Sequence, residues 1–299
     1  MKPSHVKELY LQQARIELTE HIVYAALARH EKNPENKKAL ERLSAQEKSH
    51  YEFWKTLLPQ DVDPKPHPLT VFITPLLKTV FGATFTTKLL ERHEANAIIT
   101  YQKILENIPA THQERFRQVI EDEKDHEQAL IGEIKEKRVA YLGFIVLGLA
   151  DAIVEITGVH AGFLGVTGTP LIAGVAGIIV GFAAAISMGS ASYLQAKQDP
   201  EKSAFLSAVA TGGAYLFSVV LLALPYFLIQ SMIPAFITST IVGVILISLF
   251  TFYGTVVFDN RKFWREFIEA VGLMLGTAVA TFVWGLIIGK IFHVNTGSF

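Results

Sequence analysis

The chain of 299 residues contains no cysteine and carries a formal net charge of −1, with 50% hydrophobic and 18% charged residues. Without cysteine it forms no disulfide, no thiolate-bound zinc or iron–sulfur centre and no cysteine nucleophile. Its near-neutral charge offers no electrostatic footprint for nucleic acid. The averages conceal a division: residues 1–138 hold 21 of the 27 Lys and Arg, 21 of the 28 Asp and Glu and 8 of the 10 His. The first part has the composition of a water-soluble domain, and the second, 139–299, cannot be solvated by water over most of its surface.

In chain order, the first predicted elements are helices over 4–30 and 34–57, both with helical apolar spacing. Asn33 and Pro34 supply a cap and a first-turn proline for the second. The N-terminus, Met1 to Glu20, is charged throughout and lacks the apolar core of a cleavable signal peptide. A proline-rich stretch, PQDVDPKPHP at 59–68, then breaks the chain. Residues 69–81 (LTVFITPLLKTVF) are unusually apolar for a soluble domain. They read either as a kinked helix on a bilayer surface or as the buried start of the next helix, with the second reading favoured. Helices over 83–107 and 110–138 follow, Pro109 opening the last, and no proline lies between Pro109 and Pro170. The fourth helix is therefore expected to continue into the apolar half. Four helices with a long crossover after the second describe a ferritin-like four-helix bundle.

Five apolar stretches, 139–162, 171–194, 204–229, 233–257 and 267–290, are each long enough to cross about 30 Å of hydrocarbon as a helix. The expected architecture is all-α: a bundle domain over 1–138 and a five-helix transmembrane domain over 139–299. Lys135, Lys137, Arg138, Lys197, Lys202, Arg261, Lys262 and Arg265 all fall on one side of these spans and only Lys290 on the other. By the positive-inside tendency the bundle is cytoplasmic and the C-terminus outside, in a multi-pass protein of the bilayer. The lack of a targeting signal points to a prokaryotic plasma membrane.

Two Glu-x-x-His pairs stand out in the bundle, Glu47–His50 and Glu123–His126, 76 residues apart. Residues three apart share a helix face, so each pair presents a carboxylate and an imidazole inward. The alternating helices each offer a Glu-x-x-Glu, Glu17 with Glu20 and Glu91 with Glu94. One Glu from each of two helices and a Glu-x-x-His from each of the other two is the ligand set of a two-iron carboxylate site. The spacings leave open which glutamate of each Glu-x-x-Glu is the ligand: Glu17 and Glu94 each precede a tyrosine by seven residues, Tyr24 and Tyr101, whereas Glu17 and Glu91 share the 74-residue offset. A chain of 1–138 with these motifs resembles the rubrerythrin branch of the ferritin-like superfamily. The resemblance implies a non-haem di-iron centre, open to manganese or zinc substitution, that binds Fe(II) and reacts with dioxygen or peroxide. The cysteine-held rubredoxin-type site that many rubrerythrins carry is absent here.

In the first span Asp151 and Glu155 lie one helical turn apart, and ionisable groups in a span mark a functional path by default. A pair of like charges out of water is suited to exchanging protons for a cation. In the second span Met188 sits among Ser187, Gly189 and Ser190 and offers a soft ligand. Together with Gly148, Tyr193-Leu194, Asp199-Pro200 and five spans, these residues resemble the vacuolar iron transporter family. Two departures are visible: Asp151 is followed by Ala152-Ile153, and Ser190-Ala191-Ser192-Tyr193 lacks the family's glutamate. The segment between the second and third spans is only QAKQDPEKS, so the N-terminal bundle stands in for the family's metal-collecting helices. The whole arrangement resembles the membrane-bound ferritin, or erythrin–vacuolar iron transporter, fusion family. That resemblance implies a homodimer exporting Fe2+ from the cytosol against protons, with Asp151, Glu155 and Met188 lining the path. Two rival expectations are a ferroxidase or peroxide scavenger on a membrane anchor, and a manganese transporter. Glu266, Glu269 and His160 are lesser candidates for the two ends of the path.

Overall fold

The computed structural model describes residues 3–91, 101, 104–105, 108–125, 137–258 and 262–294. It is all-α, and no strand occurs among the described residues. Two compact units are present, Met1–Glu136 and Lys137–Phe299.

In the first unit α1 (Pro3–Arg29) packs along α2 (Pro34–Thr56). Asn33 caps α2 through its side chain, which accepts from the backbone N–H groups of Glu35 and Asn36, while Pro34 takes the first-turn position where its missing N–H costs nothing. A 14-residue helix, α3 (Pro68–Phe81), follows and packs on α1. It ends at Gly82, whose φ of 98° lies where only glycine is unstrained. The next helix, α4 (Ala83–Glu91), begins at once. Residues 69–81 are thus a helix of their own rather than the buried start of the next, because Gly82 turns the chain between them. The predicted helix 83–107 is followed as far as Glu91. After a 3-10 turn (Ala110–His112), α5 (Gln113–Asp125) completes the described part of the unit. Its core is aromatic at one end, where Trp54 packs on Tyr101 and Phe116 at 5.3 Å between ring centroids and Phe53 stacks on Phe116 at 5.6 Å. Towards the other end Val23, Tyr24, Leu27, Leu40 and Leu43 fill the space between α1 and α2.

The second unit opens with one helical turn, α6 (Lys137–Ala140), and the five long helices α7 (Leu142–Val166), α8 (Pro170–Ala196), α9 (Ala204–Leu228), α10 (Met232–Val257) and α11 (Phe263–Ile291). All five are long and apolar enough to cross a membrane. The expected uninterrupted run into the first of them breaks at Tyr141, which leaves helical geometry (φ −101°, ψ 3°) and presents its carbonyl to the N–H groups of Phe144 and Ile145. Its hydroxyl accepts a 2.8 Å hydrogen bond from the Ser203 N–H, so the break doubles as a cap for the start of α9.

α7 packs against each of the other four long helices and is the most buried of them. Small residues let the backbones close: a Cβ added at Gly148 would lie 2.2 Å from the Thr211 carbonyl oxygen, and one at Gly285 2.2 Å from that of Gly162. Ile153, Ile156, Tyr215, Leu222, Ile247 and Met274 fill the centre. Outward, Ile179, Phe182, Ile241, Leu249, Val279 and Trp284 are among many large apolar side chains left exposed.

Two predictions follow from this packing. Gly148→Val forces α7 and α9 apart and destabilises the second unit by about 1–3 kcal/mol, the usual cost of overpacking. Gly143→Ala, with nothing within 4 Å of its added Cβ, leaves the thermal midpoint in detergent unchanged. In the first unit Lys78 bridges the Glu31 carboxylate at 2.9 Å and the Leu27 carbonyl at 2.9 Å. Burial alone would raise the Glu31 pKa, but the Asn33 and Lys32 N–H groups and Lys78 outweigh it and hold it below the usual value. The bridge therefore stabilises above the ordinary glutamate range and is lost as pH falls through the lowered value. Glu31→Gln removes that acid-side dependence and costs about 1–2 kcal/mol, read as a shift in denaturant midpoint at pH 7.

Candidate metal centre

Four side chains from three helices converge inside the first unit. Glu17 comes from α1, Glu47 and His50 from α2 and Glu123 from α5, and all are buried. One ligand atom from each lies within 4.8 Å of the others. The His50 Nδ1 faces Glu123 Oε1 at 3.2 Å, Glu47 Oε2 at 3.6 Å and Glu17 Oε2 at 3.7 Å. Glu47 and His50 meet because three residues bring them to the same face of α2. Glu17 and Glu123 arrive through the packing of α1 and α5 against that face.

The surroundings orient this cluster. His50 Nε2 pairs with Asp122 Oδ2 at 3.3 Å, which sets the imidazole so that its Nδ1 edge is turned to the three carboxylates. A carboxylate behind a ligating imidazole is the usual means of fixing its tautomer and raising its basicity. Trp54 Nε1 donates to Glu17 Oε1 at 3.1 Å, and the Tyr101 hydroxyl lies 3.1 Å from the same oxygen and 2.9 Å from Gln13 Oε1. One carboxylate oxygen of Glu17 is thus held by two donors while the other faces His50.

Glu17 is pushed well above the usual carboxylate range, first by burial and then by the charge of Glu123. The Tyr101 phenol is raised by burial and by Glu17 and Glu123. Burial alone would drive His50 towards its neutral form, but hydrogen bonds to Asp122, Glu123, Glu17 and Glu47 outweigh it and raise its pKa. Three carboxylates around one imidazole leave a surplus of negative charge in a dry core. A divalent cation is the group that neutralises it, and oxygen with imidazole donors suits iron, manganese or zinc alike. The donor set therefore fits a metal, with Glu17, Glu47, His50 and Glu123 as its holders.

Glu20, one turn from Glu17, is buried but outside the cluster. It lines a cavity of about 620 Å³ beneath α3 together with Thr19, His67 and Leu77. Glu94 and His126 lie outside the described residues, as does the side chain of Glu91. Asp122, Gln13 and Trp54 were not singled out from the sequence. Asp122 had a signal, standing beside Glu123 and so at the edge of the same helix face, and Trp54 sits one turn beyond His50 on α2.

In the second unit Asp151 and Glu155 are half-buried on α7 and Met188 is half-buried on α8 against the central apolar cluster. The Tyr215 hydroxyl of α9 donates to Glu155 Oε2. His160 is fully buried, with its ring 4.0 Å from that of Tyr226 and its Nε2 against Gly177, where a Cβ would come within 2.4 Å. Its place is in the packing of α7 on α8 and α9. Glu266 stands in the first turn of α11 and Glu269 is exposed one turn on.

Residues 10–134 match the family described as Rubrerythrin, so the first unit contains a ferritin-like domain of the rubrerythrin type. No curated protein and no solved structure matches the chain. The family match ends before the five long apolar helices begin.

Two outcomes are expected of this cluster. The raised values of Glu17 and His50 have the same sign: the folded domain keeps protons that the unfolded chain releases. In chelator its stability therefore falls as pH rises from 4.5 upward for Glu17, and from 6.5 upward for His50. Saturating Mn2+ replaces those protons and flattens the slope, read from thermal midpoints between pH 5 and 8. Asp122→Asn keeps every ligand of the cluster but weakens divalent-metal binding by about 10–100-fold, measured by calorimetry.

Proposed function

We propose that the chain is a transporter that exports Fe2+ from the cytosol in exchange for protons, and that its first unit binds the same metal before or during export. The observation that carries this reading is the buried Glu17–Glu47–His50–Glu123 cluster on a chain that also has five membrane-length helices, the most buried of which bears Asp151 and Glu155. An anchor needs no acid in its spans, and two on one face of the central helix are costly unless used.

In the first unit Glu17, Glu47, His50 and Glu123 hold the cation, Asp122 orients the imidazole, and Trp54 and Tyr101 fix one oxygen of Glu17. Glu20, in the adjoining cavity, and Glu91, Glu94 and His126, by their motif spacing, are assigned supporting places around this centre. Iron bound there supplies Fe(II)/Fe(III) chemistry, which gives the head a capacity for oxidation besides storage or sensing. In the second unit the cation and protons pass Asp151 and Glu155 by turns. That alternation couples Fe2+ movement one way to proton movement the other. Tyr215 donates to Glu155 and holds one carboxylate oxygen in place, while Met188 presents a thioether from α8. The excess of Lys and Arg on one side of the five helices supports a plasma-membrane protein with a cytoplasmic head and an outer C-terminus. A homodimer is part of the proposal only as the resemblance to the fusion family implies it.

The decisive experiment is Fe2+ flux into anaerobic proteoliposomes bearing a pH gradient, with protein orientation fixed by protease access to the head. Wild type is expected to move Fe2+ and protons in opposite directions. Asp151→Ala lowers flux at least tenfold, and Glu123→Ala retains proton coupling but loses its dependence on low Fe2+. Absence of flux in every variant, beside intact Fe2+ oxidation in air, overturns transport and leaves an oxidising enzyme on a membrane anchor. Equal competition by Mn2+ in the flux assay would move the substrate assignment to manganese.

A further inference from the structure

Helix α3 is built inside out for a water-soluble domain. Two of its polar side chains turn towards the protein, Thr74, which is 2% exposed, and Lys78, which points inward to Glu31 and the Leu27 carbonyl, while Thr79 is exposed. Its large apolar side chains Leu69, Phe72, Leu76 and Val80 form one stripe at helical spacing and face outward, from 58% to 80% exposed. Val71, Ile73 and Leu77 are half-buried along its flanks. The helix contains no acid, and its one base is the inward Lys78. Its threonines do not look for water either. Thr74 and Thr79 donate to the carbonyls of Thr70 and Pro75 within the helix, at 2.6 and 2.9 Å. Outside its Lys78, the helix offers water almost nothing.

What covers such a face is indicated by the rest of the chain. Asp125, at the end of α5, is twelve residues from Lys137, which opens the unit of five apolar helices. However the intervening residues run, that link spans at most about 40 Å. A bilayer crossed by those helices is therefore always within reach of the head, at a high effective concentration, whereas a second molecule must be met by diffusion. A lipid surface also needs no complementary side chains, only an apolar stripe without charges, which is what α3 presents.

The geometry points to α3 as an interfacial helix, lying in the bilayer surface with Leu69, Phe72, Leu76 and Val80 among the acyl chains and headgroups. This rests on reading the five long helices as membrane spans. Lipid contact made by α3 would cover the outer side of the cavity that Glu20, His67 and Leu69 line.

The absence of native cysteine makes the test direct. Single cysteines are introduced into the full chain at Phe72, Leu76 and Val80, at Lys38 on the exposed face of α2, and at Val279 on the outer face of α11. All five side chains are exposed in their own units, so the spin labels do not disturb the core. Each variant is reconstituted in vesicles of phosphatidylcholine and phosphatidylglycerol, and collision with oxygen is compared with collision with a water-soluble nickel chelate. The expected result is an oxygen-to-nickel ratio at the three α3 positions at least threefold above that at Lys38, as at Val279. Water-like ratios on α3 with a lipid-like ratio at Val279 overturn the interfacial helix and leave the spans standing. Water-like ratios at Val279 as well overturn the membrane reading itself. Dipolar broadening between labels at Phe72, with little oxygen preference, would show a second copy on this face and equally overturn the proposal.

Discussion

Gathering negative charge out of water is the constraint on which the first unit is organised. Glu17, Glu47 and Glu123 surround a single imidazole beside a cluster of tyrosine, tryptophan, phenylalanine and aliphatic side chains. Left as anions, three carboxylates would repel one another strongly at low dielectric. The domain meets this with protons, raised on Glu17 and His50, and with donors, Trp54 and Tyr101 on Glu17 and Asp122 behind His50. Both devices can be exchanged for a divalent cation, and the aromatic layer above the cluster keeps its geometry in place while that exchange occurs. The cluster and its packing are thus parts of one solution.

The second unit, whose five long helices are apolar enough to cross a membrane, meets the same constraint within its own packing. Its polar groups are kept between helices: Tyr215 donates to Glu155, Ser192 to Thr211 and Ser239 to the Leu222 carbonyl. Close approach of backbones at Gly148 and Gly285 brings α7 into the middle of the other helices, and with it the two acids it carries. Gly148, which drew attention as part of a transporter-like pattern, has a packing role that is independent of any transport role. A residue in a functional pattern can be there because the backbone beside it must come close.

Several features were legible from local pattern alone. The five apolar helices appeared within a few residues of their predicted limits, since about twenty consecutive apolar residues leave few alternatives. The cap at Asn33 and the pairing of Glu47 with His50 were equally local. Residues 69–81 were harder. Their apolar character fitted a buried helix start as well as a surface helix, and the choice between them lay in Gly82, whose positive φ separates α3 from α4. The unbroken run expected before the first span failed for a similar reason, because the bond from Ser203 to Tyr141 joins positions 62 residues apart and leaves no periodic trace.

Residue type and spacing by themselves determined that this chain is all-α, that one half is charged and the other apolar, and that carboxylates and histidines recur at helical intervals in the first half. These properties belong to one helix at a time. Only the tertiary structure decided which members of those intervals meet. Glu17 and Glu20 differ by three residues on the same side of α1, yet one enters the cluster and the other a neighbouring cavity, and that outcome depends on how α1 is rotated against α2 and α5. The same holds for Asp122 behind His50, for Trp54 and Tyr101 on Glu17, and for the outward face of α3. Each is set by contacts between distant segments, where packing and the burial of charge select one arrangement from several that the local pattern allows.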